Sequence, residues 1–376
     1  MSKGTKVLII ILVILIVVAG GVLAYKIYES KQPKEEPQIA EEPQVVEEKQ
    51  VQIYQGTDRP IAVMIDNHHD AWPQAGLNQA YMVYEIIVEG GETRLMALFK
   101  GADLEKIGPV RSARHYFLDY ALENDAIYVH YGWSPQAEKD IARYSVDNIN
   151  GISESEKHFW RVKDKKSPHN VATSTQAILE IAQNKKYKTT SDATSVLKYV
   201  ADEFNLSDKY TNTVQNAENT TNSTTNTAAQ NTVETANIVR IQHSQLHKAS
   251  YEYNPETKRY TRYARGEAQH DWDTQEPITT KNIIIEFIDN SELNDGENKG
   301  RQTLNNIGTF DGYYITNGQA IKIKCIKSAR DEKTIYQDLQ GNEIEINDGN
   351  TWVNICPKNA DVEIVGAATT ENNVGA

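Results

Sequence analysis

The sequence predicts an α+β protein: an N-terminal mixed α/β domain followed by a mainly β C-terminal domain, after one N-terminal transmembrane helix. Three observations predict it. The stretch "VLIIILVILIVVAGGVLAY" (7–25) carries no charge and is long enough to cross the ~30 Å hydrocarbon core of a bilayer as a helix. Residues 54–210 interleave strand-like and helix-like patterns. From Ile238 onward, short alternating segments separated by turn residues replace any helical period.

The anchor comes first. Its apolar run is longer than the core of a cleavable signal, and "GGVLAY" is a weak cleavage site, so an uncleaved span over 1–28 is favoured. Lysines flank the run on both sides (Lys3 and Lys6, then Lys26 and Lys31), so the charge rule is nearly tied. A six-residue basic tail before the span and no second span after it place the rest of the chain outside the cytoplasmic membrane. Residues 29–53 are rich in Glu, Pro and Gln, a composition that cannot bury a core and reads as a stalk.

The N-terminal domain, 54–210, opens with "IAVMID" (61–66), a buried strand. "AYMVYEIIVEGGETRLMALFKG" (80–101) reads as two strands around a Gly-Gly turn. "PVRSARHYFLDYALEN" (109–124) has Val110, Ala113, Phe117, Tyr120 and Ala121 at helical spacing behind Pro109, which predicts a helix from 109. "AIYVHYG" (126–132) is a strand; "SPQAEKDIARY" (134–144) and "TSTQAILEIAQN" (173–184) are helices, the first capped by Ser134. Fourteen of the residues in 211–232 are Asn or Thr, so 211–236 reads as a linker, with a β-rich domain at 237–366 and a disordered tail at 367–376. The two cysteines, Cys325 and Cys356, lie in strand-like segments and are compatible with a disulfide or with two buried thiols.

A net charge of −13 argues against a nucleic-acid binder. No phosphate loop, dinucleotide fingerprint, zinc-protease motif or Gly-x-Ser-x-Gly elbow occurs. No cofactor and no metal are expected. In "MIDNHHDAWPQAG" (64–76), Asp66 and Asn67 close a strand, where ligands collect in α/β layers. The tandem His68 and His69 with Asp70 read as structural or surface groups. His130 and Ser134 do not make a serine hydrolase, and His169 in "SPHN" reads as a partner of its loop backbone.

The most loaded combination is "EIIVEGGETR" (85–94) with "GPVRSAR" (108–114). Strand alternation puts Glu85 and Glu89 on one side, and a helix from 109 would put Arg111 and Arg114 on one face near its start. Such a cleft can bind a carboxylate or phosphate. Equally, Glu–Arg pairs can pin a helix to a sheet.

These stretches, with "DAIYVHYGWSP", "SPHNVATS", "YTRYARGEAQHDW" and "GTFDGYYITNGQAIKIK", resemble the YerB-like family of bacterial cell-envelope proteins, in order over roughly 57–357. The resemblance implies an extracytoplasmic protein of unknown function, usually lipid-anchored. This chain departs from it by having no lipobox cysteine directly after the apolar run. The signature positions are Asp66, Asn67, Glu85, Glu89, Arg94, Arg111, Ser112, Arg114 and His130.

The expected function is a membrane-anchored extracytoplasmic binding protein, held in the cytoplasmic membrane through residues 7–25. Its ligand would be a cell-wall component or a wall-synthesis partner. Asp66, Asn67, Arg94, Arg111, Ser112, Arg114 and His130 would line the site. The alternative is a hydrolase or transferase acting on cell-wall glycan or peptide, with Glu85 or Glu89 as acid or base.

Overall fold

A computed structural model describes residues 2–32, 49–210 and 231–366. Most of the expected stalk, most of the expected linker and the whole expected tail lie outside the described residues.

Helix α1 (Lys3–Lys31) is long and apolar enough to cross a membrane, with an 18-residue stretch of mean hydropathy 3.4 and no buried residue. It belongs to a different compact unit from the rest of the described chain, which forms one unit from Lys49.

In that second unit the expected buried strand is β1 (Ile61–Asp66). The hairpin is β2 (Met82–Ile87) and β3 (Thr93–Phe99), paired antiparallel across the Glu89–Gly91 turn. Gly90 and Gly91 take φ of 70° and 74°, which is why that turn uses glycine. Helix α2 (Phe117–Glu123), strand β4 (Ile127–His130), helix α3 (Pro135–Arg143), strand β5 (Asn148–Asn150) and helix α4 (Thr175–Asn184) follow. Ser134 caps α3 by accepting the Ala137 N–H at 3.2 Å.

The C-terminal part is mainly strand, as its alternation predicts. Its principal strands are β6 (Ile238–Gln242), β7 (Lys248–Asn254), β8 (Arg259–Ala264), β9 (Asn282–Glu292), β10 (Gly308–Thr316), β11 (Gln319–Lys327), β12 (Ile335–Gln337), β13 (Thr351–Pro357) and β14 (Asp361–Val365).

One twelve-stranded sheet runs through both parts, along the path β12-β11-β10-β9-β13-β2-β3-β1-β4-β5. Its join is β13, parallel both to β9 and to β2, with Asn354 opposite Glu85. A second sheet contains β8-β7-β6-β14. Successive side chains of a strand point to opposite faces, and here both faces are covered. Met64, Tyr84, Met96 and Val353 pack with Phe117, Tyr120 and Ile141 of α2 and α3. Val63, Leu95, Ala97 and Trp352 pack with Ile178 of α4 and with Val239, Tyr251 and Tyr260 of the second sheet. That double covering explains why β1, β2 and β3 are buried at every position.

The faces also settle the cysteines. Cys325 packs with the first cluster and Cys356 with the second, so the sheet stands between two free, buried thiols.

The helix expected from 109 begins only at Phe117. Residues 109–114 are instead an extended segment bound on both edges. Asp66 N–H donates to Pro109 O at 2.8 Å, Arg111 N–H to Met64 O at 2.9 Å, and Val110 N–H to Val171 O at 2.7 Å. Ala113 N–H donates to Gly132 O at 2.9 Å. A backbone committed to these partners cannot make helical bonds. Val110 and Ala113 sit in opposite core clusters, as an extended chain requires.

Candidate functional site

The end of β1, the start of β3, the Glu89–Gly91 turn and the 109–114 segment meet around a pocket of ≈ 390 Å³. Asp66, Glu89, Arg94, Arg111 and Arg114 line it, joined by His68, Glu92, Thr93, His169, Lys299 and Arg301. Arg111 and Arg114 therefore share a site, but from an extended strap rather than a helix face.

Each charge has a distinct environment. Arg114 grips Glu89 with both arms of its guanidinium, Nε to Oε1 at 2.6 Å and Nη2 to Oε2 at 2.8 Å. Burial works to raise the Glu89 carboxyl, and this fork outweighs it, leaving the group below its usual range. Glu92 is likewise desolvated, yet its contacts with His247 and Arg265 hold it down at about 2. Asp66 Oδ2 is shared: His169 Nδ1 donates to it at 2.8 Å, and Arg111 Nε lies 3.1 Å away without an aligned hydrogen bond. Arg301 and Lys299, from the segment after β9, lean on Glu297 at 2.9 and 2.8 Å.

Arg94 differs. It is only 6% exposed and donates from Nη1 to Ser112 O at 2.7 Å. Among the described residues no carboxylate lies within 4 Å of it. Burial, and after it the neighbouring Arg114, push its guanidinium down to about 10 against the more distant Asp66 and Glu89 carboxylates, so it stays charged at neutral pH. A buried charge with no carboxylate in direct contact remains costly, and an entering anion would lower that cost.

Three expected site residues stand behind the pocket. Asn67 is fully buried; its amide donates to Thr93 Oγ1 and accepts from Gln74 Nε2 and Trp72 Nε1. Ser112 turns its hydroxyl to Tyr131 O at 3.1 Å, and only its carbonyl serves the site, by holding Arg94. His130 is fully buried, with Nδ1 2.8 Å from Gly132 O, and burial pushes it down to about 4.

Glu85 and Glu89 do not share a side. Glu85 sits in β2 facing the second sheet, while Glu89 lies past the strand end, where alternation no longer applies. Glu85 is wholly enclosed and accepts from Arg262 Nη2 at 2.7 Å, His247 Nε2 at 2.9 Å and Trp352 Nε1 at 3.1 Å. Burial alone would raise it; Arg262 and the two histidines His243 and His247 override that and hold it well below its usual range. Neither glutamate has the geometry of a free acid or base.

Of the histidines that read as structural or loop-bound, His68 and His169 reach the pocket, while His69 does not line it. His169 bonds the Asp66 carboxylate rather than the loop backbone through its ring. His68, Asp70 and His169 each bring a donor atom within 4.8 Å of the others. His68 Nδ1 already accepts the Asp70 N–H at 3.1 Å. The two rings stack at 4.5 Å with 16° between planes, so their lone pairs lie in nearly parallel planes and do not converge on one ion. No local pattern announces His169, Lys299 or Arg301, because distant segments deliver them.

Comparison with known proteins places the chain. The N-terminal domain described as a protein of unknown function (DUF3048) matches residues 47–188, and the C-terminal domain of the same description matches 238–353. The chain belongs to the DUF3048 family. Another sequence relative is YerB of Bacillus subtilis (strain 168), whose name describes it as a lipoprotein, 30% identical over 307 residues, covering 80% of this chain and 81% of that one. The crystal structure of YerB from Bacillus subtilis matches with a TM-score of 0.68 at 28% identity, covering 82% of this chain and 94% of that one. This DUF3048 protein thus shares its α+β fold with YerB and carries an apolar N-terminal helix suited to membrane association.

Proposed function

We propose that this protein is a membrane-anchored binding protein whose Arg94 pocket takes an anionic component of the cell envelope, outside the cytoplasmic membrane. The observation that carries this reading is Arg94: a buried, charged guanidinium lining a pocket, held by a carbonyl and lacking a carboxylate partner among the described residues. Arg111 adds a second donor set, since Asp66 divides its charge between Arg111 and His169. An entering carboxylate or phosphate would supply the missing counter-charge and accept from both guanidinium groups.

The apolar helix supports the membrane tether. Cell-wall polymers and their precursors carry carboxylates and phosphates, which is the chemistry the pocket suits; a wall-synthesis protein offering an acidic side chain would use the same contacts.

The test uses the full-length protein in detergent micelles. Isothermal titration with defined wall fragments, anionic and neutral, is expected to give saturable binding of the anionic set alone. Arg94→Met should abolish that binding without unfolding the protein. Equal binding of neutral fragments, or an indifferent Arg94→Met, would overturn the reading.

A further inference from the structure

We infer that the pocket acts on a terminal diphosphate, with His169, aligned by Asp66, as the general base that activates an attacking hydroxyl. This rests on the anion-binding reading and adds a ligand class and a reaction to it.

The base comes from the ring geometry. His169 Nδ1 donates to Asp66 Oδ2 at 2.8 Å, so the neutral ring carries its lone pair on Nε2. That nitrogen has no hydrogen-bond partner among the described residues, and the ring lines the pocket beside Arg111. Asp66 fixes the ring's tautomer and stabilises the imidazolium that forms when Nε2 takes a proton.

The ligand class comes from what the pocket lacks. Of its glutamates, Glu89 is held by the two arms of Arg114 and Glu92 by Arg265 Nη2 on both its oxygens, so neither is free to deliver a proton to a leaving group. His68 accepts at Nδ1 and holds its proton on Nε2; losing it would leave an unstable imidazolate. The remaining proton donor in the lining, Lys299, is drawn to Glu297 at 2.8 Å on the solvent side, so the site suits a leaving group that departs as a stable anion. An alkoxide does not, and a phosphate does. A diphosphate also matches a site with several cationic side chains and one unpaired guanidinium.

The step balances without a further reactant. The hydroxyl oxygen, from water or an alcohol, attacks the terminal phosphorus while its proton passes to His169 Nε2. The bond from that phosphorus to the bridging oxygen breaks, and its electron pair leaves with the departing phosphate. His169 then returns its proton to solvent. Arg94 and Arg111 stay on the phosphoryl oxygens throughout.

Hexyl diphosphate and hexyl phosphate serve as probes, with the full-length protein in detergent micelles, in EDTA and separately in Mg²⁺. Phosphate release from hexyl diphosphate alone is expected. His169→Asn should lower kcat by roughly 100-fold or more while leaving binding intact; His169→Gln replaces it should the Asn variant not fold. Asp66→Asn, at a positioning residue, should lower kcat while leaving the binding of hexyl diphosphate intact. Saturable, Arg94-dependent binding of hexyl diphosphate without turnover in either buffer would overturn the catalytic inference and leave the binding reading standing. Turnover unchanged in both His169 variants would also overturn it, and equal turnover of hexyl phosphate would overturn the diphosphate assignment. Absence of any binding would remove both readings.

Discussion

Arg94 stands opposite Asp66 in the register of β1 and β3, and the two do not form an ion pair. Asp66 turns instead to His169 and Arg111, while Arg94 leans on the Ser112 carbonyl. Cross-strand partners of opposite charge ordinarily neutralise each other. Here the strap at 109–114 takes the carboxylate away, and the buried guanidinium is left for a ligand.

The first prediction concerns the cost of that arrangement. Replacing Arg94 by Met removes an unpaired buried charge but orphans the Ser112 carbonyl, two effects of opposite sign. Stability should change by no more than about 1 kcal/mol in urea denaturation. A loss several times larger would show that Arg94 holds the fold.

Glu85 should behave in the opposite way. It is wholly buried and bonded to Arg262, His247 and Trp352 where β2 meets the second sheet. Glu85→Gln leaves Arg262 uncompensated, and a loss of about 3–5 kcal/mol is expected. The same denaturation midpoint measures it, and a loss under about 1 kcal/mol would contradict a structural role.

Arg114 and Glu89 form a partly buried bidentate pair. A double-mutant cycle with Arg114→Met and Glu89→Gln should return a coupling of about 1–2 kcal/mol, more than an exposed pair gives. Purely additive losses would mean that the fork contributes nothing to the site's rigidity.

Buried Glu286 makes a pH prediction. Burial pushes its carboxyl up to about 7, against the hydrogen bond from Tyr336. A carboxyl whose folded value lies above its unfolded value binds protons more tightly when folded. Its share of stability is then full below pH ~4.5 and is lost as pH rises toward 7. Glu286→Gln should flatten the stability profile over that window, by on the order of 3 kcal/mol. An unaltered profile would contradict the assignment.

Much of this was readable in the chain. Strands β1 to β3, the Gly-Gly turn, the Ser134 cap and the β-rich C-terminal part follow from period and turn chemistry. The Arg111–Arg114 segment misled because Val110, Ala113 and Phe117 fit a helical stripe. Long-range backbone bonds to Met64, Val171 and Gly132 decide its conformation, and those have no local signal. The pairing of β13 with β2 is equally non-local. His169, Lys299 and Arg301 reach the pocket by the same kind of distant packing, whereas Arg94, Arg111 and Asp66 were marked by a dense charged motif.

The most direct measurement is a titration of inorganic pyrophosphate into the full-length protein and its Arg94→Met variant in matched micelles. Saturable one-to-one binding is expected, weakened roughly 100-fold by the substitution, with both proteins folded. Equal affinity in the two folded proteins would contradict it.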